Sequence, residues 1–206
     1  AMNNQKAMAR AAWKGSGAKA SDDVWFDIAE RVGSTEFTGY AANEGEGQVV
    51  ALVKDGTEVQ SAGAKDTVTV ITNQTPFYGE SGGQMGDAGV ISSSNMRGEV
   101  TDTAKPLGRL HAHQVIIGTG EIKVGDFVTL KIDTQRRDTL RANHSATHLL
   151  HASLRDRLGE HVTQKGSMVA PDRLRFDFSH NQAVTPQEIA MIEADVNAQI
   201  RGNDAV

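Results

Sequence analysis

Residues 49–72 read VVALVKDGTEVQSAGAKDTVTVIT, two β-prone runs with the pair Asp55-Gly56 between them. Asp-Gly readily adopts the positive φ angles of a tight hairpin turn, so the segment predicts paired antiparallel strands. Further β-prone runs follow at residues 111–117 and 127–132. Several short strands within about 100 glycine-rich residues favour a small antiparallel barrel, because closure removes exposed sheet edges. We therefore predict a barrel domain over residues 36–133.

The pattern changes after the barrel, and a second domain is predicted over residues 134–206. Its predicted elements are a helix that ends at Gly159, strands over residues 162–170 and 173–180 with one buried face, and a helix that follows Thr185. The last helix begins with a capping box, Thr185-Pro186-Gln187-Glu188, and has proline at its first position. The fold class predicted for the whole chain is therefore α+β.

The composition is that of a folded globular chain. With 38% hydrophobic and 23% charged residues among 206, the sequence lies outside the disordered and collagen-like ranges. No run reaches the roughly 18 apolar residues of a membrane helix, so no membrane partner is predicted and we expect a cytoplasmic protein. The lack of cysteine excludes disulfides and thiolate metal ligands within these residues.

Residues 1–35 are expected to form a helical tail or linker, with a helix ended by Gly15-Ser16-Gly17. Residues 1–20 carry basic side chains and many alanines but no acidic residue. An organellar transit peptide would have a similar composition, and it is the weaker alternative.

His144 and His148 lie four residues apart on the predicted helix, so both imidazoles project from one face. This spacing can bring two nitrogens to one metal ion, as zinc sites do. A zincin-type protease would need glutamate directly after the first histidine, where this chain has Ser145. The pair is therefore either a metal half-site or two histidines that hydrogen-bond at a domain interface. His151, about two turns beyond His144, is expected in the core or at an interface.

Three neutral polar side chains could surround this histidine pair. Thr147 lies beside it on the helix, and Gln164 and Ser167 lie on the following strand. No serine stands in an obvious relay with histidine and aspartate, so a positioned water is the expected nucleophile if the site is catalytic. Each of the three could also be an ordinary helix or strand residue.

Residues 75–87, TPFYGESGGQMGD, form a glycine-rich loop. Gly82 and Gly83 permit positive φ and close backbone approach to a partner. The loop lacks the lysine and the strand–loop–helix context of phosphate-binding loops, so a simple barrel corner is the alternative. His111 and His113 alternate with apolar residues and are expected to point outward from a strand, without a ligand role.

Four segments together closely resemble the editing region of alanyl-tRNA synthetases. They are TPFYGESGGQMGD (75–87), NHSATHLLHASLR (143–155), HVTQKGS (161–167) and RLRFDFSH (173–180). The resemblance extends over residues 37–201, and free-standing alanyl-tRNA editing proteins share the same motifs.

The resemblance implies an elongation-factor-like barrel followed by the first part of the editing domain shared with threonyl-tRNA synthetase. It implies that His144 and His148 are zinc ligands, and that the other ligands, a Cys-x-x-x-His motif, come from beyond residue 206. It also implies an editing pocket lined by Thr147, Gln164 and Ser167, with Gly82 and Gly83 on a barrel loop that faces it. ATP and Mg²⁺ belong to the family's aminoacylation core, which has no counterpart in these residues.

The activity implied by the resemblance is alanine–tRNA ligation, with hydrolysis of mischarged seryl- and glycyl-tRNA(Ala) by the editing region. The implied partner is the acceptor end of tRNA(Ala). Residues 134–179 carry a net charge of +3 within a chain of net charge −5, which favours delivery of an anionic tRNA end to the second domain.

Three interpretations of the chain remain. The leading one is an excised part of an alanyl-tRNA synthetase that carries only half of the zinc site and is expected to be inactive alone. A free-standing trans-editing deacylase would need a complete zinc site, although His180 could serve as a third ligand. A non-catalytic tRNA-binding module is the third.

Overall fold

The computed structural model describes residues 19–202, with side chains from residue 23 onward. The predicted helix end at Gly15-Ser16-Gly17 lies outside the described residues. The helices are α1 (Lys19–Val32), α2 (Thr134–Leu158) and α3 (Pro186–Gly202), with a short 3-10 turn at Pro106–Gly108. The strands are β1 (Glu36–Phe37), β2 (Glu44–Lys54), β3 (Thr57–Val59), β4 (Ser61–Gly63), β5 (Thr67–Thr72), β6 (Gln74–Thr75), β7 (Gly89–Ser92), β8 (Arg97–Ala104), β9 (Ala112–Thr119), β10 (Glu121–Lys123), β11 (Phe127–Ile132), β12 (Thr163–Val169) and β13 (Leu174–Ser179).

Six of these strands close into an antiparallel barrel. Their order is β2, β5, β9, β8, β7 and β11, and β11 pairs back onto β2 to complete the ring. The hairpin predicted at Asp55-Gly56 joins β2 to β3, and both turn residues have positive φ angles, 51° and 75°. The prediction of a small antiparallel barrel within an α+β chain is therefore confirmed.

The barrel interior is filled by branched aliphatic side chains that alternate along the strands. Leu52, Val70, Ile91, Val115 and Leu130 are among the core residues with no more than 1% of their surface exposed. Such burial is the main stabilising contribution in a small barrel, at about 1.5–3 kcal/mol for each large aliphatic side chain.

Helix α1 packs against the outside of the barrel. Ile28 and Ala29 are buried against Ala51, Ile71 and Leu110. Apolar contacts with the outer face of the barrel therefore hold α1 in place. Among the described helices, none combines the length and the hydropathy needed to cross a membrane.

The expectation that His111 and His113 point outward is wrong. Only 3% of His111 and none of His113 is exposed. The ring of His111 stacks on Phe37 at 5.7 Å, and Gly79 of the glycine-rich loop lies against it. Both faces of β9 are covered near its start, where Ala112 and His113 are both buried. The alternation of polar and apolar residues therefore does not distinguish a buried face from an exposed one here.

Residues 134–202 form a helix–hairpin unit, in which the antiparallel hairpin β12–β13 and helix α3 pack along α2. Its small core is centred on Leu154, Val162 and Ile192. Asp133 caps α2 by accepting the Arg136 N–H at 3.0 Å, and α2 ends before Gly159, whose φ is 115°. The capping box predicted for α3 is present, since the Thr185 N–H donates to Glu188 at 2.8 Å and the Glu188 N–H donates to the Thr185 hydroxyl at 3.2 Å.

Candidate functional site

A buried ion pair fixes the glycine-rich loop (residues 75–87) to the start of α2. Arg137 Nε donates to both carboxylate oxygens of Asp87, at 3.0 and 2.9 Å. The Arg137 side chain also donates to the carbonyl oxygens of Gly39, at 3.1 Å, and Pro76, at 2.7 Å. Asp87 accepts a further hydrogen bond from the Tyr78 N–H at 2.7 Å. The charges are buried, 10% and 1% exposed, but surrounded by hydrogen bonds, as a buried pair requires.

The tip of the loop is a tight turn at Gly82 and Gly83. Ser81 and Gln84 exchange backbone hydrogen bonds of 3.2 and 3.0 Å across it. The two glycines have φ angles of 60° and 85°, the signs of a type I′ turn, which favours glycine at both positions.

This turn docks edge to edge on β12 of the helix–hairpin unit. The Val169 N–H donates to the Gly83 carbonyl at 2.7 Å, and the Met85 N–H donates to the Val169 carbonyl at 3.0 Å. The approach is so close that a Cβ atom on Gly83 would lie 2.3 Å from the Ser167 carbonyl oxygen. The structure thus brings Gly83 close to Ser167. The resemblance implies that Ser167 lines the editing pocket and that Gly83 lies on the loop facing it.

His144 and His148 stack on one face of α2, with ring centroids 5.0 Å apart and planes 16° from parallel. His144 is half-buried and His148 is exposed. Nδ1 of His144 lies 2.6 Å from Oε1 of Gln84, the residue that follows the glycine turn. The histidine pair therefore lies beside the docked loop.

The other predicted pocket residues differ in their surroundings. Thr147 is 6% exposed, and its hydroxyl donates to the Asn143 carbonyl at 2.8 Å. Asn143 in turn donates to the Ala170 carbonyl at 2.7 Å, which ties α2 to the end of β12. Gln164 is exposed on β12 just before an irregularity in the pairing with β13. Within the described residues, no hydrogen bond joins Gln164 to Thr147 or to the histidine pair.

The donors in the described part of the chain fit half of a metal site. Residues 23–202 contain no group of three or more histidine, aspartate or glutamate side chains placed to hold one ion. His144 and His148 supply two adjacent imidazoles, whereas a protein zinc site normally has three or four protein ligands. The arrangement is consistent with a zinc half-site and with no more than that.

The suggestion that His180 could complete this half-site is wrong. His180 hydrogen-bonds to His161 at 2.8 Å, and His161 lies against Gly159 at the C-terminal end of α2. Gly159 is 15 residues after His144, which at the helical rise of 1.5 Å per residue is about 22 Å. His151 is half-buried, with its ring 5.1 Å from that of Phe176.

A second hydrogen-bond chain holds the start of the glycine-rich loop. His113 Nδ1 donates to the Val70 carbonyl at 2.8 Å, and its Nε2 lies 2.8 Å from the Thr75 hydroxyl, which donates to it. The Thr75 oxygen accepts from the Phe77 N–H at 3.1 Å. Both ring nitrogens are satisfied in the neutral form, so His113 can be buried without a charge.

The folded protein is expected to lose stability on acidification because these histidines are buried uncharged. Burial lowers the pKa of His113 to about 4, and burial, with the nearby His113 and Lys105, lowers the pKa of His111 to about 4. In the unfolded chain both pKa values return to about 6.5. Between these values the unfolded chain binds protons that the folded chain does not, so the free energy of unfolding falls as the pH falls. The expected slope is roughly 1 kcal/mol per pH unit for each histidine.

Urea unfolding at pH 7.5, 6 and 5 measures this slope. His113→Gln, which keeps a donor and an acceptor but cannot take up a proton, should show a shallower pH dependence than the wild type. Equal slopes in the two proteins would contradict the assignment.

Several residues of this site had not been singled out from the sequence. Gln84, Asp87 and Arg137 each act through partners 50 or more positions away. Asp87 and Gln84 lay within the quoted loop motif, but nothing local distinguishes a buried loop carboxylate from an exposed one. Arg137 lies in the first turn of α2, and nothing in the neighbouring sequence marks it as buried.

Comparison with known proteins identifies the family to which the chain belongs. Residues 1–136 match the family of class II (A) tRNA synthetases, and the chain belongs to that family. Over all of its length it is 67% identical to an alanine–tRNA ligase of Sphingopyxis alaskensis, 64% identical to one of Rhizorhabdus wittichii and 55% identical to one of Cereibacter sphaeroides. The chain spans 23% of the length of each of these relatives.

Proposed function

We propose that this chain is the editing region of an alanine–tRNA ligase, and that the region hydrolyses the ester bond of mischarged seryl- and glycyl-tRNA(Ala). The observation that carries the proposal is the meeting of three separate motifs. The barrel turn at Gly83 and Gln84 lies against Ser167 on β12 and His144 on α2. The ligases named above, which align with the whole chain, support the parent activity.

The need for a separate hydrolytic site follows from the size of alanine. A pocket built for a methyl side chain rejects an added hydroxyl or a missing methyl by only about 1–3 kcal/mol. A second pocket that hydrogen-bonds the serine hydroxyl discriminates further, because bound alanine would leave its polar groups unpaired.

Thr147 suits such a pocket. Its hydrogen is already donated to the Asn143 carbonyl, so its oxygen offers lone pairs to an incoming hydroxyl. A buried hydroxyl that can only accept favours a substrate that can donate, which serine can and alanine cannot.

In the proposed site His144 and His148 would hold zinc together with ligands from beyond residue 206. When bound, zinc supplies Lewis acidity or an organising positive charge. The residues of this chain hold the imidazoles in place and provide neutral hydrogen-bonding groups around them. ATP and Mg²⁺ serve the aminoacylation core of the parent, which we expect to act in the cytoplasm.

The proposed partner is the acceptor end of tRNA(Ala), which approaches the helix–hairpin unit. Residues 134–179 carry a net charge of +3, against −5 for the whole chain. Arg141 and Lys165 are exposed there, and neither has an ion pair within the described residues. An exposed positive charge attracts a phosphate backbone irrespective of sequence.

Gln164→Phe in the full-length ligase is expected to slow clearance of seryl-tRNA(Ala) by about tenfold or more. The reason is that a bulky phenyl ring replaces a polar side chain of the proposed pocket. Thr147→Leu should act in the same direction. Alanine-dependent ATP–pyrophosphate exchange should stay unchanged in both, since activation uses a different pocket.

The matched control is Gln187→Phe, another exposed glutamine, on the first turn of α3. Deacylation at the wild-type rate in both pocket variants would remove Thr147 and Gln164 from the site. An effect of Gln187→Phe as large as that of Gln164→Phe would point to a general disturbance.

The isolated 206-residue chain is expected to show no ATP–pyrophosphate exchange with alanine and little or no hydrolysis of seryl-tRNA(Ala). Half of a zinc site should bind the metal weakly, since solvent must replace the missing ligands. Efficient hydrolysis by this chain would favour the free-standing deacylase. Binding of tRNA(Ala) by this chain, with no hydrolysis even by the full-length ligase, would favour the non-catalytic tRNA-binding module.

A further inference from the structure

The side chain of Gln84 is held in a fixed direction by the loop that carries it. Its backbone N–H and carbonyl are both bonded to Ser81 across the glycine turn. The neighbouring residues Gly83 and Met85 are bonded to Val169. Only 6% of Gln84 is exposed, so its amide has little freedom to leave the contact with α2.

The side-chain amide of Gln84 makes one hydrogen bond to a side chain of the helix–hairpin unit, and this bond determines the tautomer of His144. Oε1 of Gln84 lies 2.6 Å from Nδ1 of His144. An amide oxygen has no hydrogen and can only accept, so Nδ1 of His144 must carry the proton. A neutral imidazole has a single N–H, and Nε2 of His144 is therefore left with its lone pair free.

We propose that Gln84 is a positioning residue, which holds His144 as the Nδ1–H tautomer and so leaves Nε2 ready to bind a divalent cation beside His148. The metal-binding half of this inference rests on the proposed function. Histidine ligands in metal sites almost always donate their second N–H to a fixed acceptor. Gln84 supplies that acceptor here, and it comes from the barrel, not from the unit that carries the histidines.

The arrangement makes the barrel part of the metal site. The glycine turn sets the position of Gln84, and the Arg137–Asp87 pair holds the end of the same loop on α2. A histidine on α2 is thus prepared for metal binding by an element 60 residues earlier in the chain. The opposite amide orientation, with the amide nitrogen donating to Nδ1, would put the proton on Nε2 and block the metal-binding nitrogen.

The test is long-range ¹H–¹⁵N NMR of the assigned His144 ring at a pH where the imidazole is neutral, in the 206-residue chain without metal and during titration with Zn²⁺. The ring nitrogens report the tautomer directly, and a zinc-dependent shift at Nε2 reports binding at this site alone. The wild type should show the proton on Nδ1. A proton on Nε2 in the wild type would overturn the proposal without any variant.

The variants distinguish the loss of the acceptor oxygen from a general disturbance of the fold. Gln84→Met keeps the length of the side chain but has no acceptor oxygen, so the single Nδ1–H tautomer should be lost and the zinc concentration at half-saturation of Nε2 should rise by about tenfold or more. Gln84→Glu keeps an acceptor and should keep the tautomer. The control Gln48→Met removes a barrel amide whose Nε2 donates to the Gly125 carbonyl, and it should change neither reading.

An unchanged tautomer in Gln84→Met would overturn the proposal, as would loss of the tautomer in Gln84→Glu. Failure of the proposed function has a different signature. The tautomer and its response to the variants would then be as expected, while the full-length ligase would not hydrolyse seryl-tRNA(Ala).

Discussion

Arg137→Met is expected to lower the free energy of unfolding by about 3–5 kcal/mol, because it leaves the Asp87 carboxylate buried without its counter-charge. The side chain of Asp87 is 1% exposed, so solvent cannot replace the guanidinium. The substitution also removes the donors to the Gly39 and Pro76 carbonyls. Urea unfolding at neutral pH measures the loss.

The matched control is Arg173→Met. Its ion pair with Asp172 is exposed on both sides, at 67% and 68%, and exposed pairs contribute about 0–1 kcal/mol. A loss in Arg137→Met as small as that of the control would mean that the buried pair adds little to stability. The double variant Arg137→Met with Asp87→Asn should lose less than the two single variants together, because removing both charges leaves neither one buried alone.

The local features of the fold could be predicted from the sequence because they depend on neighbouring residues. The Asp55-Gly56 turn needs positive φ at two consecutive positions, and the capping box joins Thr185 to Glu188, three positions later. The closure of the sheet into a barrel was inferred only from the number of short strands that the sequence predicts. Its decisive pairing joins β11 to β2, about 80 positions apart, and no local pattern specifies that register.

The errors arose where burial depends on distant elements. His113 looked like an outward strand residue, but Val70 and Thr75 satisfy both of its nitrogens, and so it can be buried. His180 is a possible metal ligand by its side-chain chemistry alone. The hairpin, however, runs along α2 in the direction that places His180 near the C-terminal end of the helix, far from His144. The contact between Gln84 and His144 joins residues 60 positions apart and was not foreseen.

Gly83→Ala is expected to detach the glycine-rich loop from β12 and to lower the free energy of unfolding by about 2–5 kcal/mol. The residue has a φ of 85°, which costs an alanine about 1–2 kcal/mol. The added methyl carbon would also lie 2.3 Å from the Ser167 carbonyl oxygen and 2.9 Å from its carbon, so backbone must move. Separation breaks the two hydrogen bonds with Val169, each worth about 0.5–1.5 kcal/mol.

Gly82→Ala is the internal control, because it separates backbone strain from close approach. Gly82 has a similar φ, 60°, but a Cβ atom there meets nothing within 4 Å. It should therefore lose only the strain energy of about 1–2 kcal/mol. In the full-length ligase Gly83→Ala should also impair clearance of seryl-tRNA(Ala), since Gln84 would leave His144, whereas Gly82→Ala should not. Equal effects of the two substitutions, on stability and on clearance, would show that the approach of Gly83 to Ser167 has no part in holding the site together.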